Sequence, residues 1–216
     1  MKMHQKKHFS SSRQHFLLIN DHNIRVALIN YLEKSYSKIP DTKIIEELGI
    51  THGAARIDIA VINGVMHGYE IKSDIDTLER LPEQMDEFNT VFDKVTLVVG
   101  KRHLYDAINL VPDWWGIMLA KVDTNNMIIF NTIREDNNNP GQVGISIARL
   151  LWREEALQIL EKRNKATGVR SKPREFIYER LANTLNVDDL KEQVRYALLI
   201  SREDWRSDLR LILNGD

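Results

Sequence analysis

Three side chains in one short stretch could do chemistry together: Asp58, Glu70 and Lys72, within R-I-D-I-A-V-I-N-G-V-M-H-G-Y-E-I-K at residues 56–72. Two carboxylates are hard oxygen ligands for a divalent cation, and an ammonium beside them can steer water or offset charge on phosphorus. Metal-assisted hydrolysis of a phosphodiester needs that equipment. The bland alternative is a cluster of structural ion pairs on a solvated strand. Position argues against it. Asp58 interrupts one Ile- and Val-rich run while Glu70 and Lys72 close another, where a half-buried sheet places apolar groups.

The element that must position them is a β-hairpin turning at Asn63-Gly64, a pair that readily adopts positive φ. Side chains two apart share a strand face. Ile57, Ile59, Val61, Val65, Tyr69 and Ile71 hold odd positions, and the three polar groups hold even ones. One greasy face and one chemical face are therefore expected. A strict two-residue turn would set Asp58 opposite Tyr69 and point Glu70 to the other side. A three-residue connection, Ile62-Asn63-Gly64 with Gly64 left-handed and a G1 bulge, brings Asp58, Glu70 and Lys72 to a common side.

Asp58 followed by Glu70-Ile71-Lys72 resembles the D…(D/E)-x-K signature of the PD-(D/E)XK nuclease superfamily. The stretch ELGITHGAARIDIAVINGVMHGYEIKSDIDTLERLPEQ, with PDWWGI and LLWREEALQIL…RSKPR further on, resembles the sce7726 family of bacterial and phage-associated proteins. The resemblance implies an α/β, restriction-endonuclease-like αβββαβ core and a metal-dependent nuclease acting on DNA. It implies Asp58 and Glu70 as ligands of Mg²⁺ or Mn²⁺, completed by the Ile71 backbone carbonyl, and Lys72 assisting the attacking water. Glu47 is an auxiliary acid candidate. Gln84 with Phe88 is similar to a Q-x-x-x-Y element in which Phe replaces Tyr, leaving Gln84 to bind a phosphate or the nucleophilic water. A non-cleaving nucleic-acid-binding or adaptor protein that keeps the nuclease fold is the alternative.

Around the hairpin the pattern reads as alternating elements. A helix over 21–37, capped by Asp21, carries Ile24, Ala27 and Leu28 at helical spacing. A strand over 42–48 precedes the hairpin. Leu78, Leu81, Met85, Phe88 and Phe92 trace a helical stripe, with Asp74 and Asp76 expected to satisfy its N-terminal amides. Residues 94–100 read as a buried strand, 101–110 as a helix, and 115–120 and 126–133 as further strands. The N-N-N-P-G run at 137–141 marks the boundary of the core, 21–136, from a helical region at 143–216.

The chain of 216 residues is 43% hydrophobic, enough for a globular core, and its formal net charge of -1 leaves any polyanion surface local. Local candidates are a basic arm at 1–20, Arg56 beside Asp58, and a run holding Lys162, Arg163, Lys165, Arg170, Lys172 and Arg174, each of which could grip phosphates or stay solvated. The absence of cysteine excludes disulfides and thiolate metal sites and suits the cytoplasm. No signal peptide or membrane partner is expected. His52 and His67 lack a third ligand at a zinc spacing, and Trp114-Trp115 read as packing residues rather than a stacking platform.

Overall fold

The computed structural model describes residues 19–201; all but the last two residues of the basic arm, and the final part of the helical region, lie outside them. Asp21–Tyr36 form helix α1, followed by strands β1 (Lys43–Ile50), β2 (Ala55–Ile62) and β3 (Met66–Lys72). Helix α2 (Leu81–Asn89), strand β4 (Lys94–Val99), helix α3 (Leu104–Leu110) and strands β5 (Gly116–Val122) and β6 (Ile128–Arg134) come next. The described residues close with α4 (Gly144–Ala148), α5 (Arg153–Lys162), α6 (Arg174–Ala182) and α7 (Val187–Ser201). This is an α/β fold on one six-stranded sheet in chain order, antiparallel from β1 to β3, parallel from β3 to β5, and antiparallel again at β6.

Both faces of the sheet are covered, which corrects the expectation of one greasy face. Ile24, Leu28 and Leu32 of α1 pack on Ile59, Val61, Tyr69 and Ile71. Even-numbered Ala60, Ile62 and Met66 are equally buried, beneath α2 and the C-terminal helices, which contribute Ile147, Leu160, Ile177, Leu181 and Val194 to the same cluster. With helices on both faces, the strands between them are apolar on both sides. The segment after β6 is stitched to the core: the Asn139 side chain donates to the carbonyls of Asn89 and Phe92, and Val143 N–H donates to Thr90 O.

The hairpin connection has three residues, but they are Asn63-Gly64-Val65 rather than Ile62-Asn63-Gly64. Ile62 pairs with Met66, and Gly64 sits at φ +97°. The parity is as expected and the register differs by one step in each strand, because Ile62 is fully buried and stays in the ladder. Two capping expectations also need correction. Asn20 caps α1 by accepting from Asn23 N–H, which frees Asp21 for an ion pair, and Arg80 occupies the α2 cap without a side-chain bond. Asp74 and Asp76 serve the loop instead: Asp74 accepts from Arg102 N–H and Asp76 from Ser73.

Phe88 is fully buried, near Phe92 and stacked on Trp115, so its missing hydroxyl takes nothing from the site. Phe88→Ala should cost about 3–5 kcal/mol of stability, read as a loss of unfolding midpoint in urea at unchanged slope. A midpoint within experimental error of the parent would show that this cluster does not hold α2 to the sheet.

Candidate active site

Asp58 stands where strand regularity fails. The β1–β2 ladder runs through Glu46 opposite Ile59 and resumes at Leu48 opposite Ile57, leaving out Glu47 and Asp58. Glu47 has φ +56°, a conformation costly for a residue with a side chain. Ile57 consequently joins the cluster under α2 while Ile59 joins the one under α1. Strand alternation breaks at Asp58. On the other side, the β2–β3 ladder reaches Ile59 opposite Tyr69, so one further step places Asp58 level with Glu70. There the side chain replaces the backbone: Asp58 Oδ2 accepts from Ile71 N–H at 2.7 Å.

Lys72 and Gln84 complete a triangle around Glu70. Glu70 Oε1 accepts from Lys72 Nζ at 2.6 Å and from Gln84 Nε2 at 2.8 Å, and Lys72 Nζ also donates to Gln84 Oε1 at 3.0 Å. Helix α2 thus delivers Gln84 onto the end of β3. Glu70 is only 2% exposed, and its Oε2 has no hydrogen-bond partner. A buried carboxylate oxygen without a donor costs free energy unless a ligand or cation completes it.

Arg25 was not singled out from sequence, and it is the main addition. From α1 its guanidinium donates to Asp58 Oδ1 at 2.6 Å, to Asp21 Oδ2 at 3.2 Å and to Glu47 Oε1. Its signal was the Asp21–Arg25 pair four apart on α1, with Arg25 directly after the core residue Ile24. Arg56 Nε reaches Glu47 Oε2 at 2.9 Å, while most of its side chain remains exposed.

These groups line one cavity of about 500 Å³. Among its described lining residues are seven acidic side chains, Asp21, Glu47, Asp58, Glu70, Asp76, Glu83 and Glu87, against the four basic ones Arg25, Arg56, Lys72 and Arg80. An excess of negative charge repels a phosphate unless a cation enters with it. Burial, with help from the neighbouring Asp58 carboxylate, pushes the Glu70 carboxyl up to about 7, against the pull of Lys72 and Gln84. Burial also raises Asp58, opposed by Arg25 and the Ile71 N–H. Burial alone would lower Arg25, but Asp58, Asp21 and Glu47 outweigh it and hold the guanidinium charged.

The donor set fits a hard divalent cation. Asp58 and Glu70 provide two carboxylates, one with an unpartnered buried oxygen, and Mg²⁺ commonly takes one or two carboxylates and fills its octahedron with water and substrate phosphate. Among the described residues no group of three or more His, Cys, Asp or Glu is placed to hold a metal ion, so the protein alone does not complete a coordination shell. Glu47 reaches the cavity but is committed to Arg25 and Arg56. Ile71 lines it, with its N–H given to Asp58.

The other expected basic contacts stand outside the cavity. Lys165, Arg170, Lys172 and Arg174 are exposed between α5 and the start of α6. Arg170 pairs with Glu161 at 3.0 Å, and Lys172 Nζ lies 5.9 Å from the centre of the Phe176 ring. The first turn of α6 nevertheless abuts the rim, because Glu175 bonds His52 at 2.7 Å and Arg149 at 2.9 Å, and His52 precedes the cavity-lining residues 53–56. Among the described residues neither histidine belongs to a group of three or more His, Cys, Asp or Glu placed to hold a metal ion. His67 is enclosed by Tyr69 and Thr96, with burial lowering its basicity to about 4.

The family model described as Bacteriophage P4 protein cII matches residues 15–209. Protein cII of Enterobacteria phage P4 is 30% identical over 118 residues, which are 55% of this chain and 44% of that one. The match therefore spans less than half of that curated relative. A solved structure, the SPO1766 protein of unknown function from Silicibacter pomeroyi, is 15% identical with a TM-score of 0.37, over 70% of this chain and 92% of that one. A likeness that loose carries no argument. No helix among the described residues is long and apolar enough to cross a membrane.

Proposed function

The chain belongs to the bacteriophage P4 protein cII family, a name that carries no chemistry, and from the cavity we propose a metal-dependent nuclease that hydrolyses phosphodiester bonds in DNA. The observation that carries this reading is Glu70 Oε2, a buried carboxylate oxygen without a partner, beside Asp58 and Lys72 in a cavity with surplus negative charge. With it goes the reading of the fold as a restriction-endonuclease-like core of PD-(D/E)XK type, related to the sce7726 proteins and working in the cytoplasm.

Asp58 and Glu70 would hold Mg²⁺ or Mn²⁺, which when bound supplies Lewis-acid polarisation of a phosphate oxygen and of water. The rest is done by the chain. Gln84 locks the Glu70 carboxylate through Oε1 and leaves Oε2 without a donor. Lys72 Nζ, held between Glu70 and Gln84, has a third donor free to orient the attacking water or meet charge gathering on the phosphoryl oxygens. Arg25 and the Ile71 N–H fix Asp58 before substrate arrives, so little reorganisation remains for the chemical step.

The test is a panel of single-stranded, linear duplex and supercoiled DNA incubated with the protein and Mn²⁺ or Mg²⁺. Cleavage that stops on chelation is the expected result. Chelator-resistant binding without cleavage on every substrate would replace this reading with the adaptor protein.

Phosphates beyond the scissile one would lie along Arg56 and the exposed basic residues near α6. Changing Arg56, Lys165, Arg170, Lys172 and Arg174 together to Gln should weaken duplex binding at least ~10-fold at 0.1 M salt, equally for all sequences. The slope of log affinity against log salt should flatten by about 0.9 for each lost phosphate contact. An unchanged slope would return those residues to ordinary solvation.

A further inference from the structure

Resting on the metal-dependent reading above, we propose that Arg25 is the cavity's built-in second cation and limits the protein to one divalent ion per chain. Four acids, Asp21, Glu47, Asp58 and Glu70, line the same cavity, and Arg25 bonds to the first three of them. A pair of catalytic cations sits about 3.5–4 Å apart, typically joined by a common carboxylate. Asp58 is the central candidate for that bridge, but its Oδ1 faces the Arg25 guanidinium at 2.6 Å, whereas Oδ2 accepts only the neutral Ile71 N–H at 2.7 Å and keeps a lone pair for the ion beside Glu70.

Arg25 holds Asp21 and Glu47 by the same guanidinium, and Arg56 takes the remaining Glu47 oxygen. Glu70 Oε1 is filled by Lys72 and Gln84. Of the buried side-chain oxygens described, Glu70 Oε2 is the one without a donor, so a single ion would be taken on that side. A second divalent ion on the Asp58 Oδ1 side would have to sit against a guanidinium that is 13% exposed and pinned by three acids. Like-charge repulsion at that range in a half-buried site outweighs what one more carboxylate oxygen returns. Arginine suits the post because it stays charged and its flat fork can meet several carboxylates together.

The experiment counts Mn²⁺ bound to the full chain by electron paramagnetic resonance of free Mn²⁺, with calorimetry as a second readout and no substrate present. Wild type should bind one ion, Arg25→Lys one, and Arg25→Gln two, since Asp21 and Asp58 then lack their cation and Glu47 keeps only Arg56. Glu70→Gln should bind none. Two ions on wild type, or one on a folded Arg25→Gln chain, overturn the role given to Arg25. If Arg25→Gln does not fold, the wild-type count decides alone. No ion on wild type at millimolar Mn²⁺ overturns the metal-dependent reading and this inference with it, a result distinct from a count of two.

Discussion

Glu70→Gln is expected to lose at least ~10³-fold of cation-dependent DNA cleavage while unfolding at the parent's temperature or above it. The two halves of that expectation come from one fact. Glu70 is held by Lys72 and Gln84 on one oxygen and left open on the other, an arrangement whose use is a ligand and whose cost is a buried charge. Replacing it with a neutral group of the same shape removes the ligand and the cost together. Lys72→Met should lose a similar factor in turnover, and by leaving Glu70 without its ammonium it should also lower stability, so the two variants separate catalytic loss from misfolding. Asp58→Asn should be inactive as well, with stability reduced because Arg25 is left with one carboxylate fewer. Retained cleavage in a folded Glu70→Gln chain would remove Glu70 from the mechanism.

The second large effect is a pH dependence of stability that belongs to the same carboxyl. Its value rises from the usual 4.5 to about 7 on folding, chiefly through burial. Between those values the folded chain binds a proton that the unfolded chain releases, so protonation of Glu70 favours the fold. That contribution is complete below about 4.5 and is lost as pH climbs through about 7. By pH 8 the ionised group should cost on the order of 3 kcal/mol relative to acid conditions. In chelator, Glu70→Gln should therefore gain on wild type as pH moves from 5 to 8, and Mn²⁺ at pH 8 should restore wild type alone. The measurement is the difference in unfolding free energy between the two proteins at each pH. A difference that does not change with pH would mean that Glu70 is not buried in this way.

The parts of the site legible from sequence were those set by local rules. Alternation and an Asn-Gly turn put Asp58, Glu70 and Lys72 on a common side, and the likeness of Gln84 and Phe88 to a Q-x-x-x-Y element pointed to Gln84; all four site groups line one cavity. The register was off because the connection is decided by which residues are buried, and Ile62 is held in the sheet by helices that come much later in the chain. The same long-range packing hid the second cover of the sheet. Arg25 was hidden for a related reason: its role depends on α1 lying across β2 and β3, and no pattern within α1 states what it will meet. The break at Asp58 depends on Glu47 adopting a left-handed backbone that no glycine or asparagine announces. A site residue in a conformation its type disfavours is where local reasoning should fail.

The claim underlying all of this is that Asp58 and Glu70 hold one divalent cation at the point where a phosphodiester is cut. Anomalous scattering from crystals grown with Mn²⁺ tests it directly. One peak is expected, within about 2.0–2.3 Å of Glu70 Oε2 and an Asp58 oxygen, with Arg25 still on Asp58. A peak elsewhere with this pair empty, at Mn²⁺ concentrations that support cleavage, would contradict it.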